Sequence, residues 1–104
     1  MVTAEQASRG TLKSLKISAE NFVETCIDPA ISQAMENGHF SLKMHLGVFT
    51  KELDTFTTKT VAKIICKILE ERRFKADHIY YDGPNGYANY ILIEWKRESE
   101  ANAI

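Results

Sequence analysis

Apolar residues recur along this chain with two different periods, and the switch between them divides it into elements. From Ala19 to Asn37 the apolar positions Phe22, Val23, Cys26, Ile27, Ala30, Ile31, Ala34 and Met35 return at steps of three and four. That is one stripe of a helix, with Ser18 placed to cap it and Asn37-Gly38 placed to stop it. Pro29 falls inside the pattern. It predicts a kink, or a second start with Asp28 as cap and Pro29 at the first helical position. His39 to Leu46 then alternates strictly, Phe40, Leu42, Met44 and Leu46 against His39, Ser41, Lys43 and His45, the signature of a half-buried strand.

After a connection in which Thr50 is read as capping an early turn, Val61, Ile64, Ile65, Ile68 and Leu69 restore the helical period up to about Arg73. This second helix begins near Thr58 or extends back through Phe56 and Leu53, because β-branched threonines weaken its start. Asp77–Tyr81 reads as a short strand. Asp82-Gly83-Pro84-Asn85-Gly86 reads as a five-residue turn, and Tyr87–Lys96 as the last strand, with Ile91, Ile93 and Trp95 facing the core. Before all this, Thr3-Ala4-Glu5-Gln6 is a capping box, and Gly10 is expected to end the helical turn that it starts.

The expectation is an α+β fold in the order α-β-α-β-β, a three-stranded sheet with two helices packed on one face and a C-terminal β-hairpin. The helix between the first two strands allows them to run parallel through a right-handed crossover. Residues 1–17 form an N-terminal arm with a short helical turn, 18–97 a single α+β domain and 98–104 a C-terminal tail. A chain of 104 residues suits one such domain.

Charge narrows the functional classes. Thirteen basic and 14 acidic residues leave a net charge of −1, so no global field draws the chain to a polyanion, and nucleic acid is not the expected partner. No run reaches the roughly 18 apolar residues of a membrane span, and the opening Met1-Val2-Thr3-Ala4-Glu5 lacks a secretory pattern. An intracellular, reducing setting is expected, with Cys26 and Cys66 read as buried small hydrophobes ahead of a disulfide or a reactive thiol.

No constellation for catalysis emerges. His39 and His45 share a strand face but lie about 20 Å apart along it, and no metal-ligand spacing joins any histidine to a cysteine or acid. The Gly-rich turn joins strand to strand, whereas a phosphate loop leads from a strand into a helix. No catalytic, cofactor-binding or metal-binding residue is assigned, no cofactor is expected, and the chain is read as not an enzyme.

Contact chemistry is better represented. Tyr80, Tyr81, Tyr87 and Tyr90 cluster around the hairpin with Asn85 and Asn89. They form a cross-strand ladder that stabilises the hairpin, a protein contact or a platform for bases. Leu92 falls on the nominally wet face, which a partner would explain, and a three-stranded sheet leaves two edges open to pairing. Tyr80, Tyr81, Asn85, Tyr87, Tyr90 and Leu92 are therefore the candidate partner contact. Arg72, Arg73 and Lys75 are a candidate anion contact, against the plainer reading of a solvated helix end.

The stretches Thr3–Ala7, Ile31–Gly38 (Ile-Ser-Gln-Ala-Met-Glu-Asn-Gly), Leu69–Phe74 and Ile91-Leu92-Ile93-Glu94-Trp95 together resemble small proteins of tailed bacteriophages. The resemblance spans most of the chain and carries no catalytic residues with it. It implies a phage protein working by self-assembly or protein contacts, as a minor virion component or homo-oligomeric accessory, in the cytoplasm of a bacterial host or in the virion. The alternative is a phage-encoded inhibitor of a host or defence protein, or a binder of a nucleotide signal, though no residue pattern supports a small nucleotide ligand.

Overall fold

Thr3 opens the chain's first helix with both halves of the capping box: its hydroxyl accepts from the Gln6 amide at 3.1 Å, and the Gln6 side chain accepts from the Thr3 amide at 3.0 Å. In the computed structural model, which describes residues 1–96, the helix so started does not stop at Gly10. It runs as α1 (Ala4–Phe22), passes through a five-residue π-helical segment (Val23–Ile27) and continues as α2 (Asp28–Glu36). A glycine inside a helix costs about 1 kcal/mol, which a capped helix growing from an anchored segment tolerates, since propagation needs no new nucleus. Ser18 is thus an interior helical residue rather than a cap, and the expected boundary at 17/18 falls inside one helix whose packing against the core already includes Leu15. The expected tail, 98–104, lies outside the described residues.

The π segment is the answer to Pro29. Proline has no amide to donate one turn back, and the chain widens just before it, so that the Asp28 amide reaches the Val23 carbonyl, five residues away. Asp28 is helical and caps nothing. The widened turn also moves the stripe: Val23, Ile27, Ile31 and Ala34 are buried, whereas Cys26 and Met35, expected inside, are exposed.

Both helix exits use the same device. Gly38, at φ +78°, lets the His39 amide reach the Ala34 carbonyl at 2.9 Å and its own amide reach that of Met35 at 3.0 Å. At the end of α3 (Thr55–Glu71), Arg73 adopts φ +73° for the matching pair, Phe74 to Leu69 and Arg73 to Glu70, both at 3.0 Å. Asp54 starts α3, accepting from the Thr57 amide at 2.7 Å. That bond, and a second from the Thr57 side chain, hold the Asp54 carboxyl below its ordinary range. A depressed acid lends stability at neutral pH that fades as pH falls through its titration.

Three strands, β1 (Ser41–His45), β2 (Lys75–Gly83) and β3 (Gly86–Glu94), form an antiparallel sheet in the order β1-β3-β2. The last strand is central. β1 and β2 do point the same way, as the crossover allowed, but β3 lies between them. Register sets Leu42 opposite Ile93 and Met44 opposite Ile91 on one side, Ala76 opposite Ile93 and His78 opposite Ile91 on the other. The strands run further into the turn than expected, and only Pro84-Asn85 separates the paired Gly83 and Gly86. Phe40 lies outside β1 and is half-exposed, although its carbonyl accepts from the Trp95 amide at 3.0 Å.

The core lies between one sheet face and the helices. Ile91 and Ile93 meet Val61, Ile65 and Leu69 of α3 and Val23 and Ile27 of the long helix, with Leu46 closing the end. Fold class and element order are as expected from the sequence, helices on one face and a hairpin at the C-terminus.

Candidate contact surfaces

The hairpin does not present its tyrosines as one surface. Alternation sends Tyr80 and Tyr87 to the helix side of the sheet and Tyr81 and Tyr90 to the open side. On the helix side, Tyr80 and Tyr87 meet edge to face at 6.2 Å, and Tyr80 and His78 lie 5.9 Å apart. The cross-strand ladder is therefore real, but it joins two of the four rings. Asn85 sits apart at the turn tip.

Behind that ladder is a polar chain that the sequence did not suggest. Asn89 is only 4% exposed, on the same face as Ile91 and Ile93. Its Nδ2 donates to Thr50 Oγ1 at 3.0 Å and to Tyr87 Oη at 3.1 Å, leaving Oδ1 to accept from His78 Nε2 at 2.8 Å. Thr50 Oγ1 donates onward to the Leu46 carbonyl at 2.8 Å. With both Nδ2 protons so placed, Oδ1 can only accept, and the bond to His78 is one that its Nε2–H donates. Thr50, expected as a helix cap, instead ties the connection after β1 to β3. The readable signal was an asparagine in phase with the core face. Two of its three partners come from residues 11 and 39 positions away, which no local pattern encodes.

Beside this network a groove of ≈ 460 Å³ runs between α3 and β2, lined by Lys59, Lys63, Cys66, His78 and Tyr80 among others. Lys59 lies over the Tyr80 ring, 5.2 Å from its centre. Burial, with the charges of Glu70 and Asp77 adding to it, pushes the Cys66 thiol up to about 11, so it stays protonated and unreactive at neutral pH. No group of three histidine, cysteine or acidic residues is placed to hold a metal among the described residues.

The open sheet face carries Leu92 and Tyr90 at its centre, both half-buried, flanked by the exposed Ile79 and Tyr81. Lys43 covers the Tyr90 ring at 5.2 Å from one side. The Tyr81 ring leans over Gly83, where a Cβ would stand 2.6 Å from its hydroxyl and push this exposed ring aside. The candidate anion contact is dispersed: Arg72 bonds Asp28 at 2.9 Å, Lys75 lies 4.0 Å from Glu94, and Arg73 serves the helix exit.

A long uncovered stretch lies elsewhere, at the start of the chain. Every residue from Met1 to Ser14 is exposed, and the first buried residue of α1 is Ala19. Leu12 and Ile17 stand about half-exposed on this projecting helix. Where α1 passes α3, a groove of ≈ 580 Å³ separates them, with Leu12, Val23, Ile64 and Ile68 among its walls. The radius of gyration, 15.9 Å, exceeds the roughly 13 Å of a compact domain this long.

The chain matches no protein-family model, no curated protein and no solved structure. Among the described residues no helix is long and apolar enough to cross a membrane.

Proposed function

We propose that this protein works by assembly, through protein contacts rather than catalysis, as a virion or accessory component of the kind its sequence resembles. The observation that carries the reading is the uncovered first half of α1. A helix segment of this length is marginal in water by itself, and Leu12 within it and Ile17, about one and a half turns on, stand half in solvent. Covering each on a partner is worth about 1 kcal/mol, before any gain from the groove beside them. The open sheet face, centred on Tyr90 and Leu92, is a second contact area of more modest exposure.

The test is the mass of the full-length protein in solution. Light scattering across a concentration series is expected to show species larger than the monomer at tens of micromolar, on the scale of transient to moderate affinities. A monomer at every concentration overturns self-assembly.

A second reading has one observation in its favour. The groove holding Lys59, Lys63, His78 and Tyr80 combines cations with an aromatic ring, as an anionic nucleotide would require. A thermal-shift screen against mono- and dinucleotides separates the two, since ligand binding to the folded state raises the midpoint. A rise abolished by Lys63→Ala would support that reading.

A further inference from the structure

We infer that α1 is one half of a two-fold, antiparallel helix pair, and that the groove between α1 and α3 of one chain receives α1 of a second copy. This rests on the assembly reading and names its partner and geometry.

Charge along the long helix is divided. From Ala4 to Ile17 there are three bases, Arg9, Lys13 and Lys16, and one acid, Glu5. From Ser18 to Glu36 there are four acids, Glu20, Glu24, Asp28 and Glu36, and no lysine or arginine. A parallel pair sets like on like, whereas an antiparallel pair sets the basic half of each helix on the acidic half of the other. The spacing agrees: with the chains reversed, one register pairs Lys13 with Glu20 and Arg9 with Glu24 of the second copy. Two-fold symmetry makes each pair twice.

The face agrees too. At about 100° per residue, Arg9, Leu12, Lys13, Lys16, Glu20, Val23 and Glu24 lie within a sector of roughly 120°. Five of these, Leu12, Lys16, Glu20, Val23 and Glu24, already line the groove, together with Ile64 and Ile68 of α3, and Arg9 and Lys13 continue the same sector beyond its edge. A two-fold contact must use the same patch on both chains, and this patch holds both the complementary charges and the apolar floor. In the same register, Glu5 of the second copy comes to the end of the groove where Arg72 holds Asp28. Leu12 is then covered, and the two α1 helices with the two α3 helices make a four-helix layer with a sheet on each side.

Charge exchange tests this in the full-length chain. Lys13→Glu and Glu20→Lys, both exposed positions, are each expected to weaken the dimer about tenfold or more in sedimentation equilibrium. The double variant, which restores opposite signs, is expected to return to within about threefold of the parent. Independently, Lys16→Cys in a Cys26→Ser background sits beside the two-fold axis and is expected to be joined to its own copy by a short bismaleimide, while Val48→Cys in the same background is not. Circular dichroism confirms that the variants fold. A dimer that is indifferent to both single exchanges, or is not rescued by the double exchange, or is not joined at Lys16→Cys, overturns this pairing and leaves assembly standing. A monomer at every concentration overturns both.

Discussion

The two faces of the sheet are built by the same strands and live by different rules. On β3, Ile91 and Ile93 are fully buried against α3 and the long helix, while Tyr90 and Leu92, which alternate with them, are half-covered on the open face. Composition does not separate them, since Leu92 is as apolar as its neighbours. What separates them is whether a helix lies above. The covered face also divides along its length, with aliphatic packing around Ile93 and a hydrogen-bonded chain around Asn89. One face thus holds the fold, and the other only tolerates water.

The largest effect should come from breaking the aliphatic end. Ile93→Ala leaves a cavity under both outer strands, and a loss of about 3–4 kcal/mol is expected in denaturant unfolding. Its neighbour Leu92→Ala, with an equal change in size on the open face, should cost about 1 kcal/mol or less. Near-equal losses would mean that the open face is covered in solution.

Next comes the polar end. Asn89→Leu keeps the branched outline but strands His78 Nε2 and removes the donors to Thr50 and Tyr87, and about 2 kcal/mol should be lost. If the loss is no more than for Leu92→Ala, the network is ornamental. The gentlest comparison is chemical. Under native conditions at pH 8, an aromatic disulfide reagent should titrate one thiol quickly, the exposed Cys26, and the second only at the rate of opening, because burial keeps Cys66 protonated. The sign for stability follows: a thiol raised to about 11 in the folded chain favours folding less as pH climbs from about 9 towards that value.

The difference between the faces also explains what could be read in advance. Alternation is a local property, so β3, its turn and the direction of Ile91 and Ile93 are visible in a dozen residues. The sites of contact are not local. Tyr80 and Tyr87 were visible as neighbours of Tyr81 and Tyr90, but period two sends them to opposite faces, and only the register shows which ring meets which. Cys26 looks buried to any count of 3.6 residues per turn, until Pro29 forces one wider turn and hands its place to Ile27. Arg72, Arg73 and Lys75 form a basic cluster on paper, but Asp28, 44 residues away, takes the first. Gly10 misled for a related reason: its cost is small beside that of starting a helix anew, and the capping box had already started one.

The place of β3 in the chain has a consequence for how the molecule forms. The strand on which the other two depend is the last to be made. β2 and β3 meet across two residues and zip from Gly83-Gly86 outward, a microsecond event. Ser41, by contrast, waits for Glu94, half a chain later, and until then β1 has no strand to pair with. Closure of that long loop should limit the rate of folding, so substitutions at Leu42 or Met44, whose partners are Ile93 and Ile91, should slow folding more than they hasten unfolding.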